Sequence, residues 1–201
     1  MTRARHWLLL LPLFLGGCGM LAGRPNPVSH HVLTVPPAAA QPGTPVATTL
    51  LVRDTEAAGM LQGPPLLYSR APGTLSAYQY ARWAEPAAAR FNLLLRARLE
   101  AAGLYQAVAE MGTGVRGDQQ LNTRLLEFHH DAAQSPGQAR VALEAELVDR
   151  RDGRLLARQR FQAQSPAPSH DAAGAAAALS VVSGRVMDEV VDWLGRVRGA
   201  R

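Results

Sequence analysis

The sequence predicts an α+β fold: a mostly antiparallel sheet with two main helices packed on one face. Three observations carry this. Residues 139–148 alternate, with Val141, Leu143, Ala145 and Leu147 set against Arg140, Glu144 and Glu146. That is the pattern of a strand with one buried and one wet face. Residues 84–103 and 172–197 instead repeat their apolar positions every three or four residues, as helices do. The order is strands, helix, strands, helix, which is not the strict βα alternation of a parallel sheet.

The elements follow in chain order. A short strand is expected at about His31 to Val35, closed by Pro36-Pro37, and a loop at Ala38 to Pro45. Val46 to Arg53 is β-rich and reads as a strand. Leu66–Arg70 and Leu75–Tyr80 read as two short strands around the turn signal Ala71-Pro72-Gly73. Ala84-Glu85-Pro86 opens the clearest helix, with Pro where the missing N–H costs nothing. Its stripe is Phe91, Leu94, Leu95, Arg98, Leu99 and Ala102, and Gly103 is a natural stop. Leu104–Ala109 and Leu121–His130 are further strands. Asp152-Gly153 is a hairpin turn joining the alternating strand to a partner in which Leu155, Ala157 and Phe161 face Arg154, Arg158 and Arg160. The final helix buries Leu179, Val182, Val186, Val190, Trp193, Leu194 and Val197.

The first residues carry a different signal. Arg3 and Arg5 precede the uncharged apolar run Trp7 to Leu15. A permanent span needs roughly 20 apolar residues, so this run reads as the core of a signal peptide. It ends in Leu15-Gly16-Gly17-Cys18, which resembles a lipobox, in which the Cys is acylated and the bond before it is cut. Cys18 is the single Cys of the chain, so an intramolecular disulfide is excluded. The organisation expected is a signal peptide at 1–17, a lipidated Cys and tether at 18–30, and one periplasmic domain at 31–198. Gly19 stands where Asp would be the usual inner-membrane retention signal in Gram-negative lipoproteins, which favours the periplasmic face of the outer membrane.

The formal charge of +5 comes from a chain whose basic residues are all Arg. The arginines are scattered and the export signal removes the protein from nucleic acid, so no nucleic-acid partner is expected.

Several segments, taken together and in order, resemble the ABC-type transport auxiliary lipoprotein family, the PqiC-like group. They are the lipobox at Cys18, His31-Val32-Leu33-Thr34-Val35, Leu66-Leu67-Tyr68-Ser69-Arg70, and Tyr80-Ala81-Arg82-Trp83-Ala84-Glu85-Pro86 with the helix it opens. The hairpin from Asp149 to Arg160, Phe161 and the terminal Asp192-Trp193-Leu194 complete the set. The resemblance implies an outer-membrane-anchored accessory component of an ABC/MCE-type lipid transport system. Its partners would be an MCE-domain protein and the associated ABC permease and ATPase, and self-association into a homo-oligomer is compatible with it. No cofactor is implied beyond the covalent lipid on Cys18, and no catalysis. The alternative is a lipoprotein plug or chaperone of an outer-membrane barrel, as in lipopolysaccharide assembly.

Candidate chemistry is thin. His129-His130-Asp131 lies in a predicted strand, where adjacent side chains point to opposite faces and cannot readily share a metal ion. Gly112 to Gly117 lacks the Lys-Ser/Thr ending of a phosphate loop, and no Gly-x-Ser-x-Gly elbow presents a nucleophile. Val182-Ser183-Gly184 falls within a helix. The remaining candidates are contacts to a partner: Arg70, Arg82 and Trp83. Arg70 and Arg82 would meet an acidic partner or lipid headgroups; Trp83 would either do likewise or cap the junction of sheet and helix.

Overall fold

The computed structural model describes residues 26–37 and 45–199. The signal peptide, Cys18 and Gly19 lie outside these. Nine strands and two helices follow in chain order among the described residues: β1 (Ser29–His31), β2 (Val46–Val52), β3 (Glu56–Ala57), β4 (Pro65–Ser69), β5 (Ser76–Trp83), α1 (Ala87–Ala102), β6 (Tyr105–Glu110), β7 (Gln119–Asp131), β8 (Gln138–Asp149), β9 (Leu155–Pro166) and α2 (Ala172–Gly199). A 3-10 turn, Gly59–Gln62, links β3 to β4.

The fold is α+β, but the sheet is mixed. Strand β7 is its spine. Along one edge β2, β3 and β4 pair with it in turn, at residues 119–121, 124–125 and 130–131, all parallel. Along the other edge β8 pairs antiparallel over its whole length, and β9 pairs antiparallel with β8. Two more parallel pairs, β2 with β6 and β1 with β5, extend the sheet. The sheet is thus not purely antiparallel, although its longest pairings, β7 with β8 and β8 with β9, are antiparallel. The alternating hairpin β8–β9 is antiparallel as expected, and α1 with its flanking loops is long enough to return the chain to β2 in the parallel sense.

One face of the spine is apolar. Leu121, Thr123, Leu125, Phe128 and His130 point inward, opposite Leu147, Ala145, Leu143, Val141 and Ala139 of β8. The phase is kept across a bulge between Leu125 and Glu127, where one extra residue is taken up. Helix α2 lies over β8 and β9 with Leu179, Val182, Val186, Val190 and Leu194 fully buried. Helix α1 adds Phe91, Leu95 and Leu99, each also fully buried. It ends where Gly103 takes φ 60°, a left-handed conformation that a Cβ would penalise. Aromatic pairs lock the layers: Trp83 on Phe128, tilted, and Phe161 on Trp193, edge to face, each with ring centroids 5.7 Å apart.

The opposite sheet face is wet and charged. Arg158 pairs with Glu146 at 2.5 Å, Arg160 with Glu127 at 3.4 Å and Arg124 with Glu56 at 3.3 Å. Among the described residues no helix is long and apolar enough to cross a membrane.

Candidate functional site

The first strand lies earlier than the sequence suggests. It is Ser29–His31, paired with Ala81, Arg82 and Trp83 of β5. Residues 32–37 then leave the sheet and run over the helices. This strap is held at four points. Leu33 is inserted into the core at 2% exposure. Arg90 Nε of α1 donates to the Leu33 carbonyl at 3.1 Å. The Thr34 amide donates to Ser180 Oγ of α2 at 3.4 Å. Arg98 Nη2 donates to the Pro36 carbonyl at 2.7 Å, while its Nη1 reaches the Gly184 carbonyl at 3.0 Å and Asp188 at 3.1 Å.

Arg98 is 6% exposed and sits in the otherwise apolar stripe of α1. Its burial is explained by those three acceptors, because a desolvated guanidinium must be paired and hydrogen-bonded. The sequence placed Arg98 on the buried face through its spacing; nothing in one sequence named its partners.

Between the strap and α2 lies a groove of about 640 Å³, lined by His31, Val32, Val35, Pro36, Ala177 and Val181 among others. The outward face of α2 changes character along its length. Ala173, Ala177 and Val181 are exposed in its first half, and Arg185, Asp188, Glu189, Asp192 and Arg196 in its second.

The three predicted contact residues divide. Arg70 and Arg82 are exposed. Arg70 stands at the end of β4 with its guanidinium carbon 5.1 Å from the Tyr68 ring centroid, a cation–π arrangement. Arg82 lies on β5 in register with His30 and Pro65. Trp83, at 2% exposure, belongs to the core at the sheet–helix junction, with its amide donating to the Pro64 carbonyl at 2.7 Å. The structure brings Arg82 and Trp83 together only as strand neighbours on opposite faces.

Sequence reasoning missed a buried polar cluster under the β4–β5 hairpin. His130 is fully buried, with Nε2 2.9 Å from the Pro136 carbonyl and Nδ1 2.8 Å from Tyr78 Oη. A carbonyl only accepts, so Nε2 carries the proton and Nδ1 accepts from the tyrosine. His170 also donates to Pro136 from Nδ1 at 3.2 Å. Burial pushes the His130 pKa down, against an opposing push from the Pro136 bond, and burial likewise pushes the Tyr78 phenol up. Gly137, at φ 87°, makes room, since a Cβ there would sit 2.3 Å from His130 Nε2. The arrangement holds a neutral imidazole in place. His129 lies on the other face of β7, beside Glu127, Asp131 and Arg140, and burial lowers its pKa too. Ser183 donates to Leu179 of its own helix at 2.7 Å and is fully buried, as a packing residue would be.

The model of the ABC-type transport auxiliary lipoprotein component matches residues 31–191, which takes in most of the described fold from β1 into α2. The chain belongs to this family. As a member of the auxiliary lipoprotein family it is a component associated with ABC-type transport. Among solved structures, protein XCC0632 of Xanthomonas campestris is 30% identical. That match covers 86% of this chain and 98% of the Xanthomonas chain, with a TM-score of 0.79. A second solved structure is 15% identical and shares the fold at a TM-score of 0.63, covering 83% of this chain and 99% of its own. No curated protein matches the chain.

Proposed function

We propose that the chain is an outer-membrane-anchored accessory lipoprotein of an ABC/MCE-type intermembrane lipid transport system, acting on the periplasmic face as a binding and assembly component. One observation carries the reading: a family match over 31–191, preceded by Leu15-Gly16-Gly17-Cys18 after an apolar run. The first gives a transport-associated domain and the second supports a lipid anchor at Cys18. The anchor would be stable, because each buried CH₂ contributes roughly 0.8 kcal/mol and more than one acyl chain is attached.

A binding role is supported by the interior: among the described residues, Ser183 and His130 are fully buried and have their hydrogen bonds satisfied inside the fold, by Leu179 and by Tyr78 and Pro136. Arg70 and Arg82 are the exposed cations we assign to an acidic partner surface.

The test is affinity capture of the full-length protein from detergent-extracted membranes, with its companions identified by mass spectrometry. An MCE-domain protein with its permease and ATPase is expected. Capture of an outer-membrane barrel in their place would overturn this reading in favour of a barrel plug. Fractionation of a Cys18→Ala variant should move the protein from the outer membrane to the soluble periplasm.

A further inference from the structure

Strand β9 pairs with β8 along one edge, and among the described residues no strand pairs with its other edge. The Ala167 amide donates to the Gly137 carbonyl at 3.0 Å, one step beyond the pair of Gln138 with Pro166. In an antiparallel ladder the facing residues exchange bonds at every second pair. Counted back from Ala167, the residues that bond to β8 are Ala157, Gln159, Phe161, Ala163 and Ser165. Arg158, Arg160, Gln162 and Gln164 therefore turn their N–H and C=O groups to the free edge. Two details agree. Pro166, which has no N–H, takes an outward position. The Gln164 carbonyl is met by Arg185 Nη1 of α2 at 3.4 Å. The run 157–165 carries no bulge and no proline. Sheets blunt such an edge with a bulge, a proline, a covering segment or charge, and β9 has only the last.

We infer that the free edge of β9 docks an extended acidic segment of a partner protein, which joins the sheet as a further strand. Charge selects this occupant. Strand β9 carries Arg158 and Arg160 on the wet face and no Asp or Glu. The row beside it on β8 is acidic, with Glu146 opposite Arg158 and Glu144 opposite Arg160. Opposite charges that face each other across strands stabilise a sheet and like charges destabilise it. A strand beyond β9 is favoured when it continues this alternation with a carboxylate at every second position. The two arginine side chains are 56% and 51% exposed, which leaves them room for a second carboxylate. On the inner face Ala157, Gln159 and Ala163 are only half-buried, so apolar side chains at the intervening positions gain cover there. A second copy of the chain fits poorly. Two β9 strands aligned antiparallel over most of their length, wet faces together, set Arg160 opposite or diagonal to its own counterpart. The edge lies across the sheet from Arg82 on β5, and the inference does not rest on the lipid-anchor or transport reading.

The probe is a fluorescent peptide of alternating glutamate and valine, titrated into the full-length protein purified in detergent. Its anisotropy reports binding, and NMR follows the exchange of the protein's amides. One control peptide keeps the charge but has alternate amides N-methylated, so that it cannot bond to an edge. Another has lysine in place of glutamate. Two variants separate backbone from charge. Gln162→Pro removes an outward N–H and no bond to β8, so it blocks the edge and keeps the ladder. Arg158→Gln with Arg160→Gln removes the charge and keeps the edge.

The glutamate peptide is expected to bind with a Kd of about a millimolar or tighter. It should slow exchange at Arg158, Arg160, Gln162 and Gln164 and leave Ala157, Gln159, Phe161 and Ala163 unchanged. Gln162→Pro should abolish binding, and the double arginine variant should weaken it about tenfold. No binding at that concentration would overturn the proposal. So would equal binding of the N-methylated peptide, which would mean charge attraction without a strand, or equal binding of the lysine peptide, which would mean an edge that does not select acid. A dimer of the protein that Gln162→Pro splits would make the occupant a second copy and overturn the assignment to an acidic partner. Should Gln162→Pro fail to fold, the alternating exchange pattern and the N-methylated control decide the matter in the wild-type protein.

Discussion

His130 is held neutral between Tyr78 and Pro136, and its titration has a consequence for stability. Burial lowers its folded pKa below the ordinary value of 6.5, as it does for His129. A group with a depressed folded pKa binds more protons when unfolded, so its contribution is present above 6.5 and is lost as pH falls below it. Tyr78, His170 and Asp171 lie around His130, Asp131 acts on it from the other face of β7, and the two carboxylates oppose the shift. Thermal melting is expected to fall between pH 7 and pH 5, and His130→Gln should flatten that dependence while lowering stability at pH 7. An unchanged slope in the variant would reject a buried neutral imidazole. Trp83 gives a second residue-scale expectation. It is 2% exposed and packs on Phe128, so Trp83→Ala should cost about 3–5 kcal/mol in denaturant unfolding. Arg70→Glu and Arg82→Glu, at exposed positions, should leave stability within about 0.5 kcal/mol and weaken partner capture.

Among the elements, the β8–β9 hairpin and both helices were legible in sequence because their signals are local. Val141, Leu143, Ala145 and Leu147 declare a two-residue period, and Gly153, at φ 73°, turns the chain between the strands. Pro86 and Gly103 bracket α1. The strap was not legible as such. Its extended residues read as a strand, and only the structure shows that their carbonyls are taken by arginines of α1 and not by a neighbouring strand. Arg98 is the test of that element. Removing it leaves the Pro36 carbonyl without its Arg98 donor and the Gly184 carbonyl with its helical partner alone, and it opens a gap beside the strap. Arg98→Ala should therefore destabilise by about 1–3 kcal/mol and raise hydrogen exchange at residues 33–35 ahead of the sheet. By contrast Arg158→Ala, which removes the 2.5 Å pair with Glu146 on the wet face, should cost no more than about 1 kcal/mol in the same unfolding assay.

For the molecule as a whole, the fold class could be read from sequence and the sheet's wiring could not. The parallel pairs of β7 with β2, β3 and β4 join residues separated by some 60 to 70 positions, and one sequence records no such register. Their short runs, two or three residues each, also leave no periodicity to detect. The surface and the interior can be told apart among the candidate contact residues. Arg70 and Arg82 are exposed as a contact residue must be, Trp83 is interior, and the groove beside the strap left no trace because its walls come from residues 31–36 and 173–181.

The strap also sets how the molecule would bear a load. A pull on the chain ahead of Ser29 meets three pairs of β1 with β5 and then, in series, Leu33 seated in the core and the Arg90 and Arg98 bonds. Traction arriving from the N-terminal side is thus passed into both helices at once, and they rest on the central sheet. Tugged from that end, the domain should yield at high force in one abrupt step. Tugged from the far end of α2, it should peel turn by turn.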